Sequence, residues 1–330
     1  MKAPRIHGVD LGYGLLVIVI VALGTACSQT NVLFSDVKGE FNLFYDSAVA
    51  AFLFLNASLL SQKLASAPLK NIAFAVRKQS AVIILAGLIQ YIFDPCSFLL
   101  LLGLCMFIGS YLATLSTSIV SFCLVSSMIL SLYLFRNPLP QAPSGYIGTA
   151  VGVVQSIFFD GYFSLLPWFF FYCGGLVFSR LRFSQVRPLS VLLGLCMIGL
   201  SYYVDKNLNI ELLNTSDFSI QLIPTATLLL PAYLPFGLGI ALLFWSAFVL
   251  SAQTTWARFL SILGAMRYSI LFFTTILALL MHLTLSPKTA GMMLLFNAII
   301  WVIVIPLVVI WKKQYNLGPV ERWFRSIFKS

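Results

Sequence analysis

Apolar runs near the length of a bilayer-crossing helix recur along almost the whole chain, each closed by charged residues, Pro or turn formers. Lipid offers no partner to backbone N–H and C=O groups, so a spanning segment must satisfy its own, and a helix of about 20 apolar residues does so. Such runs lie near residues 11 to 28, 44 to 62, 79 to 93, 95 to 115, 117 to 135, 162 to 179, 188 to 204, 231 to 251, 267 to 285 and 290 to 311. The third is short but can extend backward through Ile72 to Val76, leaving Arg77 and Lys78 near the interface. Pro224, Pro231 and Pro235 precede or open the eighth, whose start is therefore expected to be kinked or unwound. With only 9% charged residues and a mean hydropathy of +0.97, a water-soluble fold is excluded. The expected fold is all-α: a polytopic integral membrane helical bundle of about ten transmembrane helices. Residues 1–330 form one transmembrane domain, with 312–330 a basic amphipathic tail.

Charge placement supplies orientation, because Lys and Arg are retained on the cytoplasmic side. With the N-terminus inside, all of the 20 basic residues except Lys38, Arg136, Lys206 and Lys288 fall on the cytoplasmic side, which places the C-terminus there too. The net charge of +10 belongs to this pattern; there is no Lys/Arg block interleaved with aromatics, so nucleic acid is not an expected partner. The six cysteines lack metal-ligand or redox spacing and read as small packing residues, with a Cys27–Cys96 disulfide left open near the outer face. Lys2, Arg5, the first run and Gly24-Thr25-Ala26-Cys27 also fit a lipoprotein signal, against which Asp10 and Gly24 count. Leu101 to Met106 and Leu192 to Met197 echo each other in oppositely directed spans, a pattern that transporter repeats share and chance also produces.

Phosphate loops, dinucleotide fingerprints, nucleophile elbows and HExxH zinc pairs are all missing, and no metal site is expected. The two histidines, His7 and His282, map to opposite sides. Of the ten acidic residues, all but Asp10 and Glu321 map to the outer face. Asp46 and Asp160 are set apart by standing at the starts of the second and sixth spans, where a carboxylate either caps a helix or lines a cavity mouth. Asp160 opens the most distinctive stretch, Phe159 to Phe169, which includes Tyr162, Leu166, Pro167 and Trp168 and runs into Gly174-Gly175. A Pro-Trp pair so early in a span implies a bent helix with an interfacial aromatic anchor, and the glycines imply close helix packing.

These residues carry a resemblance. FFDGYFSLLPWFFFYCGGLVFSRL resembles the DYFPLLPW segment of the heparan-alpha-glucosaminide N-acetyltransferase-like family and the related YeiB-type bacterial membrane proteins, a superfamily of transmembrane acyltransferases. RIHGVDLGYGLL resembles the family opening through Asp10 and Gly14, with Tyr13 where Arg is usual. Asp46 with AFLFLNASL resembles the start of the family's second helix, without its Pro and with Ala57 for Gly. Leu102 to Met106 resembles the FGILH element with Met106 for His, and Leu263 to Ser269 resembles LGRxSLxxYLxH without the closing His. Gly318-Pro319-Val320-Glu321-Arg322 with Arg325 resembles the GPLExxxR tail.

The resemblance implies transfer of an acyl group from cytoplasmic acyl-CoA, such as acetyl-CoA, to a sugar or glycolipid acceptor on the outer side, with no tightly bound cofactor. The implied partners are membrane lipids and a sugar or lipid-linked acceptor, a homodimer being open, and the implied location is a bacterial cytoplasmic (inner) membrane. The family's catalytic His has no counterpart here, since no His lies between His7 and His282. General-base work then falls to Asp160 or Asp46, and a catalytically degenerate member is an equal outcome. The rival readings are a transporter or flippase for an amphiphilic solute and a non-catalytic scaffold subunit.

Overall fold

In the computed structural model the described residues, which are 7–27, 38–66, 69–93, 98–137, 146–160, 163–181, 187–213, 232–248, 255–285, 290–315 and 317–327, are helical apart from short turns, with no strand among them. In chain order the helices are α1 (His7–Cys27), α2 (Lys38–Ser66), α3 (Leu69–Phe93), α4 (Phe98–Leu112) and α5 (Thr117–Arg136). There follow α6 (Tyr146–Gln155) with a π-turn (Ser156–Asp160), α7 (Leu165–Arg180), α8 (Arg187–Leu213) and α9 (Tyr233–Phe248). The last four are α10 (Thr255–Ala265), α11 (Arg267–Leu285), α12 (Ala290–Gln314) and α13 (Pro319–Ile327).

Among the described residues three helices hold an unbroken apolar stretch long enough to cross a bilayer: Tyr45–Leu64, Ile72–Ile92 and Thr117–Leu134. A fourth arises if Phe259–Ala265 and Arg267–Leu277, bent by 77° at their junction, are one broken span. The α2 stretch is enclosed by protein, whereas those of α3 and α5 are mostly open. Their outward side chains are large and apolar, among them Phe74, Leu85, Ile92, Phe122, Ile129 and Tyr133, a surface that suits lipid and not water. Hydroxyls in these helices turn back on their own backbone, as Ser80 Oγ does to the Arg77 carbonyl (2.9 Å) and Ser131 Oγ to that of Ser127 (2.7 Å).

The long runs at 79 to 93 and 117 to 135 appear as α3 and α5, the former extended backward to Leu69. Two helices were not expected: α6, read as outer loop, and α10. Both are too short to signal a span, and α10 ends at the Met266-Arg267 break that also bounds the ninth apolar run. Pro224, Pro231, Cys96 and Tyr162 lie outside the described residues, so the disulfide expectation does too, while Pro235 sits in the first turn of α9.

The chain divides into two compact units. Unit 1 comprises Met1–Phe52, Ile92–Asp94 and Phe244–Ser330; unit 2 comprises Leu53–Tyr91 and Pro95–Leu243. In unit 2, α7 is the hub against α4, α5 and the latter part of α2. Gly175 makes this possible, because a Cβ there would run into the Phe54 carbonyl and come within 3.0 Å of the Ala57 Cβ. Ser58 Oγ donates to the Gly175 carbonyl across the same contact (3.0 Å). The end of α4 is closed by arginines. Arg180 donates to the carbonyls of Leu115 (2.8 Å) and Ala113 (2.7 Å) and to that of Leu112 (3.3 Å), which also accepts from Leu115 N (3.0 Å) in the turn that ends the helix. Arg77 stacks on Tyr111 at 3.6 Å and donates to Ser110 Oγ.

Gly175→Ala should destabilise the protein by about 1–3 kcal/mol, since the added methyl overpacks a backbone contact. Gly199, which faces open space, is the control: Gly199→Ala should leave the thermal unfolding midpoint in detergent unchanged or higher.

Candidate functional site

In unit 1 the chain breaks at Met266, between α10 and α11, and the break gathers the polar residues of three distant segments. From α1 come Asp10, in the first turn, and Tyr13. The α1–α10 contact is a reciprocal close approach: Gly14 lies against the Leu260 carbonyl, and one turn along each helix Gly264 lies against that of Asp10. A side chain at either glycine would push the backbones apart.

Breaking a helix leaves the first N–H groups of the new one without intrahelical acceptors. Met266 turns back onto α10 through its N–H to Leu263 O (3.1 Å), and its own carbonyl accepts from Ile270 N (3.0 Å), starting α11. The open N–H groups of Tyr268 (2.7 Å) and Ser269 (3.2 Å) donate to Glu321 Oε1, which arrives from α13. Ser269 Oγ donates to Glu321 Oε2 and accepts from Val320 N (3.0 Å), so hydroxyl and carboxylate lock each other. A carboxylate at this position also meets the positive end of the α11 dipole. Gly318 is required where it stands, because a Cβ would strike both Glu321 and Ser269.

Arg267, the first residue of α11, lies between aromatic faces, its Cζ 4.1 Å from the Tyr13 ring centre and 4.7 Å from that of Tyr268. Its Nη1 reaches the Gly264 carbonyl at 3.4 Å, and the carboxylates of Asp10 and Glu321 both act on it electrostatically. Tyr13 is fully buried, edge-on to Phe52 at 5.1 Å. Tyr13, noted in the sequence as standing where Arg is usual, thus becomes the platform for an arginine from α11. Phe324 packs edge-on to Tyr268 at 6.0 Å.

Asp10, Gly14, Gly318, Pro319 and Glu321 therefore share one locality, Pro319 opening α13 at N1 where its missing N–H costs nothing. Arg267, Tyr268 and Ser269 complete it; the sequence offered them only as part of a resemblance. The α13 helix, in the segment read as a basic amphipathic tail, is docked through Phe324 and Glu321, with Trp323 outward.

Asp46 opens the apolar stretch of α2, but α2 begins at Lys38, so this fully buried carboxylate sits two turns inside the helix and does not cap it. Asp160 closes the π-turn after α6, and the following helix starts only at Leu165 with Ser164 as its N-cap residue. Asp46 belongs to unit 1 and Asp160 to unit 2. Pro167 lies in the first turn of α7, where Pro is tolerated, so the interruption precedes the helix instead of bending it. Trp168 is fully buried against Phe163 (5.6 Å) and Phe171 (5.9 Å), which corrects its expected place as an interfacial anchor. Leu166 is half-buried beside it. Among the described residues no cluster of three or more His, Cys, Asp or Glu could hold a metal.

No protein-family model matches the sequence, and no curated protein matches it.

Burial pushes the Glu321 carboxyl above the usual carboxylate range, while its Ser269 bonds and Arg267 pull the other way. The folded protein then holds this proton more tightly than the unfolded chain. Its contribution to stability is fully present below about pH 4.3 and is lost as pH rises through the raised value. Glu321→Gln, which keeps an acceptor, should remove that pH dependence; Glu321→Ala, which orphans two N–H groups, should cost about 1–3 kcal/mol. Thermal unfolding of the three proteins across pH 4 to 8 checks both statements.

Proposed function

We propose that the chain is a divergent member of the transmembrane acyltransferase superfamily it resembles, transferring an acyl group from acyl-CoA to a sugar or glycolipid acceptor. The observation that carries this reading is the convergence at one break of three segments, RIHGVDLGYGLL, LGAMRYS and GPVER, that were matched to the family independently. On this reading the chain crosses a bacterial cytoplasmic membrane about ten times, with both termini inside. Two groupings support that orientation. The start of α1, the α10–α11 break and α13 meet in unit 1, and Arg77, Arg180 and the turn after α4 meet in unit 2. Each grouping joins residues that the charge pattern assigns to the cytoplasm.

In the reaction, an acceptor hydroxyl or amine attacks the thioester carbonyl, its proton passes to a carboxylate, the C–S bond breaks and the CoA thiolate leaves and takes up a proton. Asp160 is the preferred base and Asp46 the next. Asp160 ends a π-turn, a local irregularity often found at functional sites, and Asp46 is a carboxylate buried at the mouth of an apolar stretch. Arg267 Nε has no hydrogen-bond partner among the described residues and is suited to the phosphates of acyl-CoA on the inner side.

A second reading, transport of an amphiphilic solute, has one observation behind it: the 77° bend between α10 and α11 is the discontinuous-helix geometry that transporters place at binding sites. A scaffold role follows if neither activity is found.

Acetyl-CoA at 100 times its dissociation constant should stabilise the purified protein by about 2.7 kcal/mol, seen as a saturable rise in unfolding midpoint. Asp160→Asn should abolish acyl transfer in proteoliposomes while preserving that rise. Solute movement without acyl-CoA binding would replace the enzyme reading with the transporter, and full turnover in Asp160→Asn would pass the base role to Asp46.

A further inference from the structure

We propose that α13 is a detachable latch on the α10–α11 break, held by the Glu321 carboxylate and released as one unit without unfolding of the helices beneath it. The latch stands apart from the acyl-transfer reading and would serve a transporter equally.

Its attachment is narrow and mostly polar. One carboxylate takes two backbone N–H groups and one hydroxyl, that hydroxyl takes the Val320 N–H, and, among the described side chains of α13, the Phe324 ring alone is buried. Trp323 and Arg322 face outward, Arg322 lying over Tyr315 at 4.5 Å. A nine-residue helix is not stable alone in water, so α13 is helical because it is docked, and undocking and melting are one event. The connector is tied separately to α12, by Trp311 Nε1 donating to the Leu317 carbonyl (2.9 Å) and by the Trp311–Tyr315 ring contact at 4.8 Å. That anchor survives opening and keeps the latch beside its seat.

The layer beneath is held differently. The α1–α10 pair rests on the paired Gly14 and Gly264 backbone contacts, and the Arg267 stack on Tyr13 belongs to α1 and α11 alone. None of these contacts uses an atom of α13. Local opening free energy follows buried contact, so α13 opens first. Opening returns the leading N–H groups of α11 to solvent and removes one carboxylate from the Arg267 environment. An event that competes for Glu321 would thereby control the geometry of the break.

Amide hydrogen exchange on the full chain in detergent or nanodiscs tests this. In the wild type, residues 268–269 and 318–325 should exchange together and faster than α1 and α10. Glu321→Ala should accelerate both segments by about tenfold or more with α1 and α10 unchanged. Ser269→Ala should move them the same way, and Glu321→Gln should restore near-wild-type rates. Unchanged rates in Glu321→Ala would overturn the proposal, and so would an acceleration that spreads equally into α1 and α10, because α13 would then be a fixed strut.

Discussion

A helix that breaks beside an apolar layer must find acceptors for the N–H groups at its new start, since lipid supplies none. At Met266 this chain meets that requirement with a carboxylate from more than fifty residues away. Once Glu321 caps α11, the other features of unit 1 follow. Gly318 must be a glycine to let the carboxylate in, Ser269 must be able to donate and accept, and Phe324 is drawn onto Tyr268. Arg267 is left facing α1, where Tyr13 receives its flat face and Asp10 its charge.

Unit 2 solves the same problem by other means. The carbonyls at the end of α4 take the Arg180 guanidinium, and the helices close on one another through Gly175. In both units a charged side chain finishes a helix end and a glycine brings two backbones together. These devices occupy backbone groups that a helix end exposes in a chain with few charged residues, and large apolar side chains of α3 and α5 are turned outward.

Much of the helical layout could be read from the sequence, because uninterrupted runs such as Ile72–Ile92 and Thr117–Leu134 exceed what any other element needs. The helix α6 escaped notice because its ten residues include Gly148, Thr149, Gly152 and Gln155 and so resemble a loop as much as a helix, and α10 because Arg267 hides its continuity with the apolar run of α11. Trp168 was placed at an interface by residue type, yet its neighbours Phe163 and Phe171 bury it; one sequence carries no such pairing information. The site shows the same division. Asp10, Gly14 and Glu321 were singled out by resemblance, but their meeting at Arg267 depends on a 77° break between α10 and α11 that no periodicity announces.

The junction imposes a condition on any membrane arrangement: the start of α1 and the helix α13 have to lie on the same side. Protease-cleavable tags placed before Met1 and after Ser330, examined in sealed right-side-out and inside-out vesicles, test this directly. The account predicts that both tags are protected in right-side-out vesicles and both are cleaved in inside-out vesicles. Cleavage of one tag in each preparation would contradict it, because Asp10, Arg267 and Glu321 could not then share a site.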